Sequence, residues 1–322
     1  MRTKLTFLAI ASALSVTIAA QTPAPAPAQG RGAAPAPAAG APAPPGGQRG
    51  GGQRDPNAPP GIQGQNVNGM HIYIRAGLKT HGEGQHDYPQ FLADWSKLLT
   101  VKYGAVVDGS YHAPLAAELA KTDVIIFYKG DAGYLSSTEK ADLEAFLKRG
   151  GGVVSFHDSL CGPDPDYLAT TVFGGAKKHG ETNFTLDAKI PYTIVDKASP
   201  IMAGMSDFTL DIDESFYLMT WAKDPGIRIL ANALIDSTPT AIGSKHAGEI
   251  VPQMWTYEHT LAGGTKPSRA FVWMQGHEYK NFTDPRIEPM LARGIAWAAG
   301  HPVNELVDYK PAPGRGGRGG GH

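Results

Sequence analysis

Four short apolar runs stand between Gly69 and Asp158 with helix signals between each and the next, a rhythm that commits the chain to a sheet with helices on both faces. The last run is the sharpest. Gly150-Gly151-Gly152 breaks a helix, Val153-Val154-Ser155-Phe156 reads as a buried parallel strand, and His157-Asp158 follows at once. Sheets of this kind keep their ligands beyond the carboxyl ends of their strands, so His157 stands where chemistry is done.

Residues 69–75 read as the first strand, followed by a loop that carries His81, Glu83, His86 and Asp87. Asp87 is placed to N-cap a helix with Pro89 in its first turn; Phe91, Leu92, Trp95, Leu98 and Leu99 share one face of it, and Gly104 ends it. Strands are expected at 105–107 and 124–128, with a small helix at 114–120 between them. Ser136 and Glu139 have the spacing of a capping box, with Ala141, Leu143, Phe146 and Leu147 set to pack that helix on the sheet. The second half breaks into short strand-like runs at 184–186, 192–195, 208–212, 227–231, 240–242 and 252–256. A final strand at 269–274 and a closing helix at 286–299 complete the pattern. The fold class predicted is α/β: a three-layer sandwich on a mainly parallel sheet, extended by extra strands in the second half.

Outside this region the composition changes. Residues 1–20 place Arg2 and Lys4 before a mainly apolar run and end on Ala19-Ala20, the layout of a secretory signal peptide. The run is short for a membrane span, so no integral membrane segment is expected after cleavage. Residues 21–66, rich in Pro, Ala, Gly and Gln, read as a disordered linker, and residues 310–322 as a Gly/Arg-rich disordered tail. Residues 67–309 are left for one large domain. The expected location is exported, either periplasmic or extracellular. A formal net charge of −1 gives a nucleic acid nothing to hold. Cys161 is the single cysteine, so the fold stands without an intramolecular disulfide.

Three strand ends carry polar clusters: His81, Glu83, His86 and Asp87 after the first strand, His157 and Asp158 after the fourth, His277 and Glu278 after the last. His179 and the pair Asp213-Glu214 are candidates to reach the same crevice from the second half. Histidines and carboxylates that meet can divide acid and base roles or ligate a divalent metal such as zinc, for which His81, His86, His157 and His277 are the candidates. Structural readings stand beside these. A strand-end histidine can simply anchor a loop, adjacent acids can solvate a turn, and Trp255 and Tyr257 can serve the core instead of stacking on a sugar. Cys161 lies beyond the strand end, in a segment that reads as a loop turn and is badly placed for a nucleophile elbow.

Several segments, in their order, resemble the ThuA-like, or trehalose-utilisation, family of the class I glutamine amidotransferase-like superfamily. They are residues 146–157, Phe173-Gly174-Gly175 with His179, Ser199-Pro200-Ile201 before residues 213–217, and residues 253–258, 270–277 and 293–298. The resemblance implies a flavodoxin-like sandwich and a small-molecule carbohydrate partner, a sugar or keto-sugar derivative. Amidotransferase relatives end the corresponding strand in a nucleophilic cysteine, and here His157 occupies that place; thiol-dependent glutaminase chemistry is therefore not expected. Against the family pattern, residues 259–267 are an insertion expected to reshape one pocket wall. The functional expectation is an exported sugar-processing enzyme, whether hydrolase, lyase or isomerase. In it His157, His277, Asp213 and Glu214 are catalytic, and His86, Asp158, His179, Trp255, Tyr257 and Glu278 bind the ligand. The alternative is a non-catalytic carbohydrate-binding or scaffolding module.

Overall fold

The computed structural model describes residues 66, 68–178, 180, 184–235 and 246–311. His179, the strand expected at 240–242, the signal-peptide reading, and all but the last residue of the linker and the first two of the tail lie outside them. The first half of the domain comprises β1 (His71–Ala76), α1 (Tyr88–Val101), β2 (Val106–Ser110), α2 (Ala116–Leu119), β3 (Val124–Tyr128), α3 (Ser137–Lys148) and β4 (Gly152–Phe156). There follow β5 (Cys161–Gly162), α4 (Pro165–Tyr167), β6 (Gly175–Lys178), β7 (Phe184–Ile194), β8 (Phe208–Phe216) and β9 (Thr220–Trp221). Last come β10 (Ile227–Leu234), β11 (Ile250–His259), β12 (Ser268–Trp273) and α5 (Ile287–Ala298).

Nine of these strands make one sheet, in the order β2-β1-β3-β4-β12-β11-β10-β7-β8. The run from β2 to β12 is parallel and the rest is antiparallel, giving a flavodoxin-like α/β sandwich with an antiparallel extension. Side chains alternate between faces along each strand. Ile126, Tyr128, Val154, Phe156, Phe271 and Trp273 pack with Phe91, Trp95 and Leu99 of α1 and Met290, Leu291 and Ile295 of α5. Ile125, Phe127, Val153, Ala270 and Val272 pack the other way, on Leu143, Phe146 and Leu147 of α3 and on Leu168, Val172 and Phe173 of a wide π-type turn after α4.

Local signals explain most element boundaries. The α3 capping box is present, with Glu139 N–H donating to Ser136 Oγ at 3.2 Å and Ser136 N–H to Glu139 Oε2 at 2.7 Å. Asp87 departs from expectation: its side chain makes no capping bond and pairs instead with Lys79 at 2.7 Å. Ala141, expected on the packed face, is exposed. Gly152 starts β4 where a Cβ would lie 2.0 Å from the carbonyl oxygen of Ala298, so only glycine lets the end of α5 come this close.

Two corrections concern the second half. The runs at 184–186 and 192–195 are one strand, β7, and β8 extends past residue 212 to include Asp213 and Glu214. Cys161-Gly162 is a short strand paired with Lys177-Lys178, where a loop turn was expected. The inserted residues 259–267 lie at the amino ends of β4 and β12, where Thr265 N–H bonds Lys148 O. They cannot wall a site at the carboxyl ends, because β11 runs antiparallel to β12 and its exit loop falls at the opposite edge of the sheet.

Candidate metal centre

The carboxyl ends of the parallel strands converge as the topology requires. β4 and β12 are neighbours, so His157, which follows Phe156, and His277, four residues beyond Trp273, come out side by side. The loop after β1 crosses the end of β3 to join them: His86 N–H donates to His277 O at 2.9 Å and Tyr279 N–H to Gly84 O at 2.8 Å.

Glu214 arrives from the far edge of the sheet, on β8 opposite a β-bulge. In the β7–β8 pairing Thr185 faces Ser215 and Ala188 faces Asp213, so Leu186 and Asp187 together oppose Glu214 alone. Such a two-against-one mismatch puts the bulge on β7 and sharpens the local twist of the pair, with Glu214 opposite it. Asp213 ties this part of β8 to the loop after β12. Its Oδ1 accepts from the backbone N–H groups of Glu214 at 2.7 Å and His277 at 3.1 Å, both its oxygens lie 3.2 Å from Gly276 N, and Oδ2 accepts from Asn281 Nδ2. Burial pushes Asp213 up to about 7, against the pull of these donors.

Four donor atoms meet. His86 Nε2 lies 2.9 Å from His157 Nε2 and 3.0 Å from His277 Nδ1, while Glu214 Oε2 lies 3.3 Å from both His157 Nε2 and His277 Nδ1. All four residues are buried. An ion with tetrahedral bonds of about 2.0–2.1 Å holds its ligand atoms about 3.3–3.4 Å apart, so the set needs only small movements to close on one.

Hydrogen bonding around the cluster turns lone pairs inward. His157 Nδ1 lies 3.3 Å from the carbonyl of Met274, which can only accept, so Nδ1 carries the proton and Nε2 presents its lone pair. Thr80 Oγ1 lies 2.8 Å from His86 Nδ1 and 3.1 Å from His81 Nδ1; it can accept from the first ring and donate to the second, freeing His86 Nε2 as a ligand. If His86 Nε2 carried a proton instead, that one hydrogen could serve His157 or His277 but not both, and the other ring nitrogen would stand about 3 Å from it without that donor. A cation resolves that conflict for all four donors.

Charge and strain agree with this geometry. Burial, with the neighbouring His277 and His81 and Lys79, pushes His86 down to about 2, and burial with His86 and His277 lowers His157 well below the ordinary range. Neutral imidazoles are what a metal needs. Burial also acts to lower His277, but the hydrogen bond and charge of Glu214, with Asp213 and Glu278, outweigh it and raise this ring. Of the six non-glycine residues with positive φ among those described, three are His81 at 61°, His86 at 47° and His157 at 54°. Each such conformation costs about 1–3 kcal/mol and persists where its surroundings enforce it, typically at functional sites.

A cavity of about 260 Å³ opens beside the cluster, lined by His86, Glu214 and His277 together with Asp158, Lys177 and Phe216, among others. Asp158 accepts from Tyr88 Oη at 3.0 Å, and burial followed by the charge of Glu214 raises its carboxyl to about 7. Phe216 stacks on His157, with centroids 5.4 Å apart and an interplanar angle of 24°.

The remaining sequence candidates fall into place around this. His81 lines the cavity but is exposed, and its Nδ1 is taken up with Thr80, so among the proposed ligands it is replaced by Glu214. Glu278 accepts from Gln85 Nε2 at 3.1 Å at the rim. Trp255 and Tyr257 are core residues: Trp255 Nε1 donates to Phe173 O at 2.8 Å and Tyr257 Oη to Thr170 O at 3.1 Å, which leaves neither ring a face for a ligand. Cys161 lines the cavity wall, but burial pushes its thiol well up, away from the nucleophilic form. Sequence reasoning did not single out Lys177, Phe216, Thr80 or Tyr88. For Lys177 and Phe216 a signal existed in the segments that contain them, whereas Thr80 and Tyr88 act through contacts that no local pattern encodes.

Comparison with known proteins bears on the fold. A family model described as ThuA, trehalose utilisation, matches residues 79–298. A ThuA-like protein from Parabacteroides merdae superposes with a TM-score of 0.53 at 17% identity, covering 72% of this chain and 91% of that one. Another, from Bacteroides uniformis, gives 0.52 at 15% identity, covering 71% and 90%. At these identities the likeness concerns the fold alone. No curated protein matches the sequence significantly.

Proposed function

The chain belongs to the ThuA, trehalose-utilisation, family, and on that premise we propose that it binds and transforms a sugar or keto-sugar derivative at a divalent-metal centre. His86, His157, His277 and Glu214 are its ligands. The observation that carries this reading is the meeting of four buried donor atoms, three ring nitrogens and a carboxylate oxygen, at 2.9–3.3 Å. Imidazole and carboxylate together suit zinc, iron, cobalt or nickel. The four residues would hold the ion beside the cavity, where it could meet a substrate oxygen.

The bound ion supplies polarisation of a substrate carbonyl or hydroxyl oxygen. The chain's own residues do the rest. Thr80 and the Met274 carbonyl hold the His86 and His157 rings in register, and Asp213 sets the turn that presents His277. Asp158 is the proton-transfer group, since it lines the same cavity and Tyr88 Oη steadies one of its oxygens. His157, which the sequence suggested as a general base, becomes a ligand.

Export belongs to the same proposal. Residues 1–20 have a leader's layout and residues 21–66 a tether's composition, which would put the domain in the periplasm or outside the cell.

The test is metal analysis of the purified protein together with a time course on a panel of sugars and their oxidised derivatives. One ion per chain and turnover that vanishes in Glu214→Gln and His157→Ala are expected. Full turnover by chelator-stripped, metal-free protein would overturn the metal role, and saturable sugar binding without turnover would favour the binding module.

A further inference from the structure

The structure assigns the placing of Glu214 to a buried pair of amides: Gln275, backed by Gln253 and Tyr192, is a positioning residue for the carboxylate of the four-donor cluster. The assignment deepens the metal reading above and rests on it.

In the sheet β8 is separated from β12 by β11, β10 and β7. The carbonyl of Glu214 nevertheless accepts from Gln275 Nε2 at 3.0 Å, two residues before His277. The other hydrogen of that amide goes to Gln253 Oε1 at 2.9 Å, and Gln253 Nε2 donates in turn to Phe216 O at 2.6 Å and Pro252 O at 2.7 Å. Tyr192 Oη, from β7, donates to Gln275 Oε1. All three side chains are buried. Their orientation is fixed by the partners: a backbone carbonyl only accepts, so each Nε2 must face one, which turns Gln253 Oε1 to Gln275 and Gln275 Oε1 to Tyr192. Every amide hydrogen is used, and a fully satisfied buried network specifies one arrangement.

Gln275 belongs to four consecutive residues against which every donor is registered. The Met274 carbonyl lies 3.3 Å from His157 Nδ1, Gln275 holds the Glu214 carbonyl, Gly276 and His277 give their N–H groups to Asp213, and the His277 carbonyl accepts from His86 N–H at 2.9 Å. For Glu214 the hold is double. Its N–H goes to Asp213 Oδ1 at 2.7 Å and its carbonyl to Gln275, so both backbone polar groups of this ligand are fixed relative to the segment that carries His277. Groups that orient a ligand in this way change metal affinity by about 10- to 100-fold when removed.

The test is cobalt(II) titration of the chelator-treated full chain, followed by visible absorption, with zinc in competition. Gln275→Met keeps the length of the side chain and removes both donors; affinity should fall about 10- to 100-fold, and the cobalt bands should shift as the carboxylate moves. Tyr192→Phe keeps the ring that stacks on Phe208 and frees only Gln275 Oε1, so it should weaken binding by less, and it reads the same network should Gln275→Met fail to fold. Ser268→Ala removes a buried bond at the amino end of β12, from Ser268 Oγ to Gly151 O at 2.9 Å, and should leave affinity and bands unchanged. In a Glu214→Gln background Gln275→Met should cost little more, because residues that act through one another do not add. Wild-type affinity and bands in Gln275→Met, or in Tyr192→Phe where the former does not fold, overturn the assignment. So does a loss as large in Ser268→Ala, or one undiminished in the Glu214→Gln background. A wild type that takes up neither cobalt nor zinc ends the metal reading and this assignment with it, whereas wild-type uptake that Gln275→Met retains in full ends this assignment alone.

Discussion

Removing the ion should loosen the whole domain, by an amount that the cluster's geometry allows to be worked out. The four donors are buried and face one another at 2.9–3.3 Å, with His157 Nε2 presenting a lone pair towards both His86 Nε2 and the Glu214 carboxylate. An ion that binds this folded arrangement and not the unfolded chain stabilises by RT ln(1 + [L]/Kd), about 2.7 kcal/mol at a hundred times Kd. For a domain of about 240 residues, each kcal/mol moves Tm by about 2–4 °C, so saturation should raise Tm by about 5–11 °C. Glu214→Gln keeps the shape and removes the only ligand charge. Changes merely beside a ligand weaken metal binding by about 10- to 100-fold, so this one should reach the upper figure at least. At the same ion concentration the variant then gains about 0.4 kcal/mol, or about 1–2 °C. Differential scanning calorimetry of chelator-treated, dialysed protein, titrated in turn with zinc, cobalt, nickel and iron(II), reads both numbers. If no ion raises the wild-type Tm by more than about 1 °C, or if Glu214→Gln responds as fully as the wild type, the four donors do not form a metal site.

Two further outcomes probe the scaffold. Gly152→Ala sets a methyl 2.0 Å from the Ala298 carbonyl oxygen, and because the obstacle is backbone, the cost should reach the upper end of the about 1–3 kcal/mol typical of overpacking; an unchanged urea midpoint would refute this account of how β4 meets α5. Near the opposite edge of the sheet, Asp123 holds the His301 imidazole, burial opposes it and Glu305 at 2.9 Å adds, so the pKa is raised from 6.5 to about 9. A raised folded pKa means stability that is whole below pH 6.5 and lost as pH rises through about 9. The groups are partly exposed and screened, so the loss should stay within ~1 kcal/mol, and His301→Gln should flatten the slope of stability between those pH values. A slope that persists in the variant would assign it to other groups.

Much of the parallel half was legible because its signals are local. The 3.6-residue face of α1, the Ser136–Glu139 box and the glycine break before β4 each act within a few residues, and their order fixes which strand ends share an edge. That was enough to bring His86, His157 and His277 together on paper. Glu214 was read as one of two catalytic acids, and its place among the ligands was not foreseen. It lies opposite the bulge at Leu186–Asp187, a mismatch between two strands that neither sequence betrays alone. The polar run Asp213-Glu214-Ser215 is buried inside the protein, where adjacent acids ordinarily signal a turn. Trp255 and Tyr257 were ambiguous for the opposite reason: a strand aromatic carries the same letter whether its face meets a ligand or the core, and the polar atoms of both were claimed by backbone carbonyls.

The division of labour between Asp213 and Glu214 shows why the site needs both halves of the chain. Adjacent strand residues point to opposite sides, so one of the pair can reach into the cluster only if the other turns away from it. Asp213 does turn away, and it takes up the backbone donors of Gly276 and His277, the very segment that carries the third imidazole. The antiparallel extension therefore does more than lengthen the sheet: through one acid it positions a histidine of the parallel half, and through the next it sets a carboxylate among the three rings. A parallel sheet without that extension could gather the histidines, but their lone pairs would converge with no anionic ligand to draw a cation in. On the metal reading His157 is then one ligand among four.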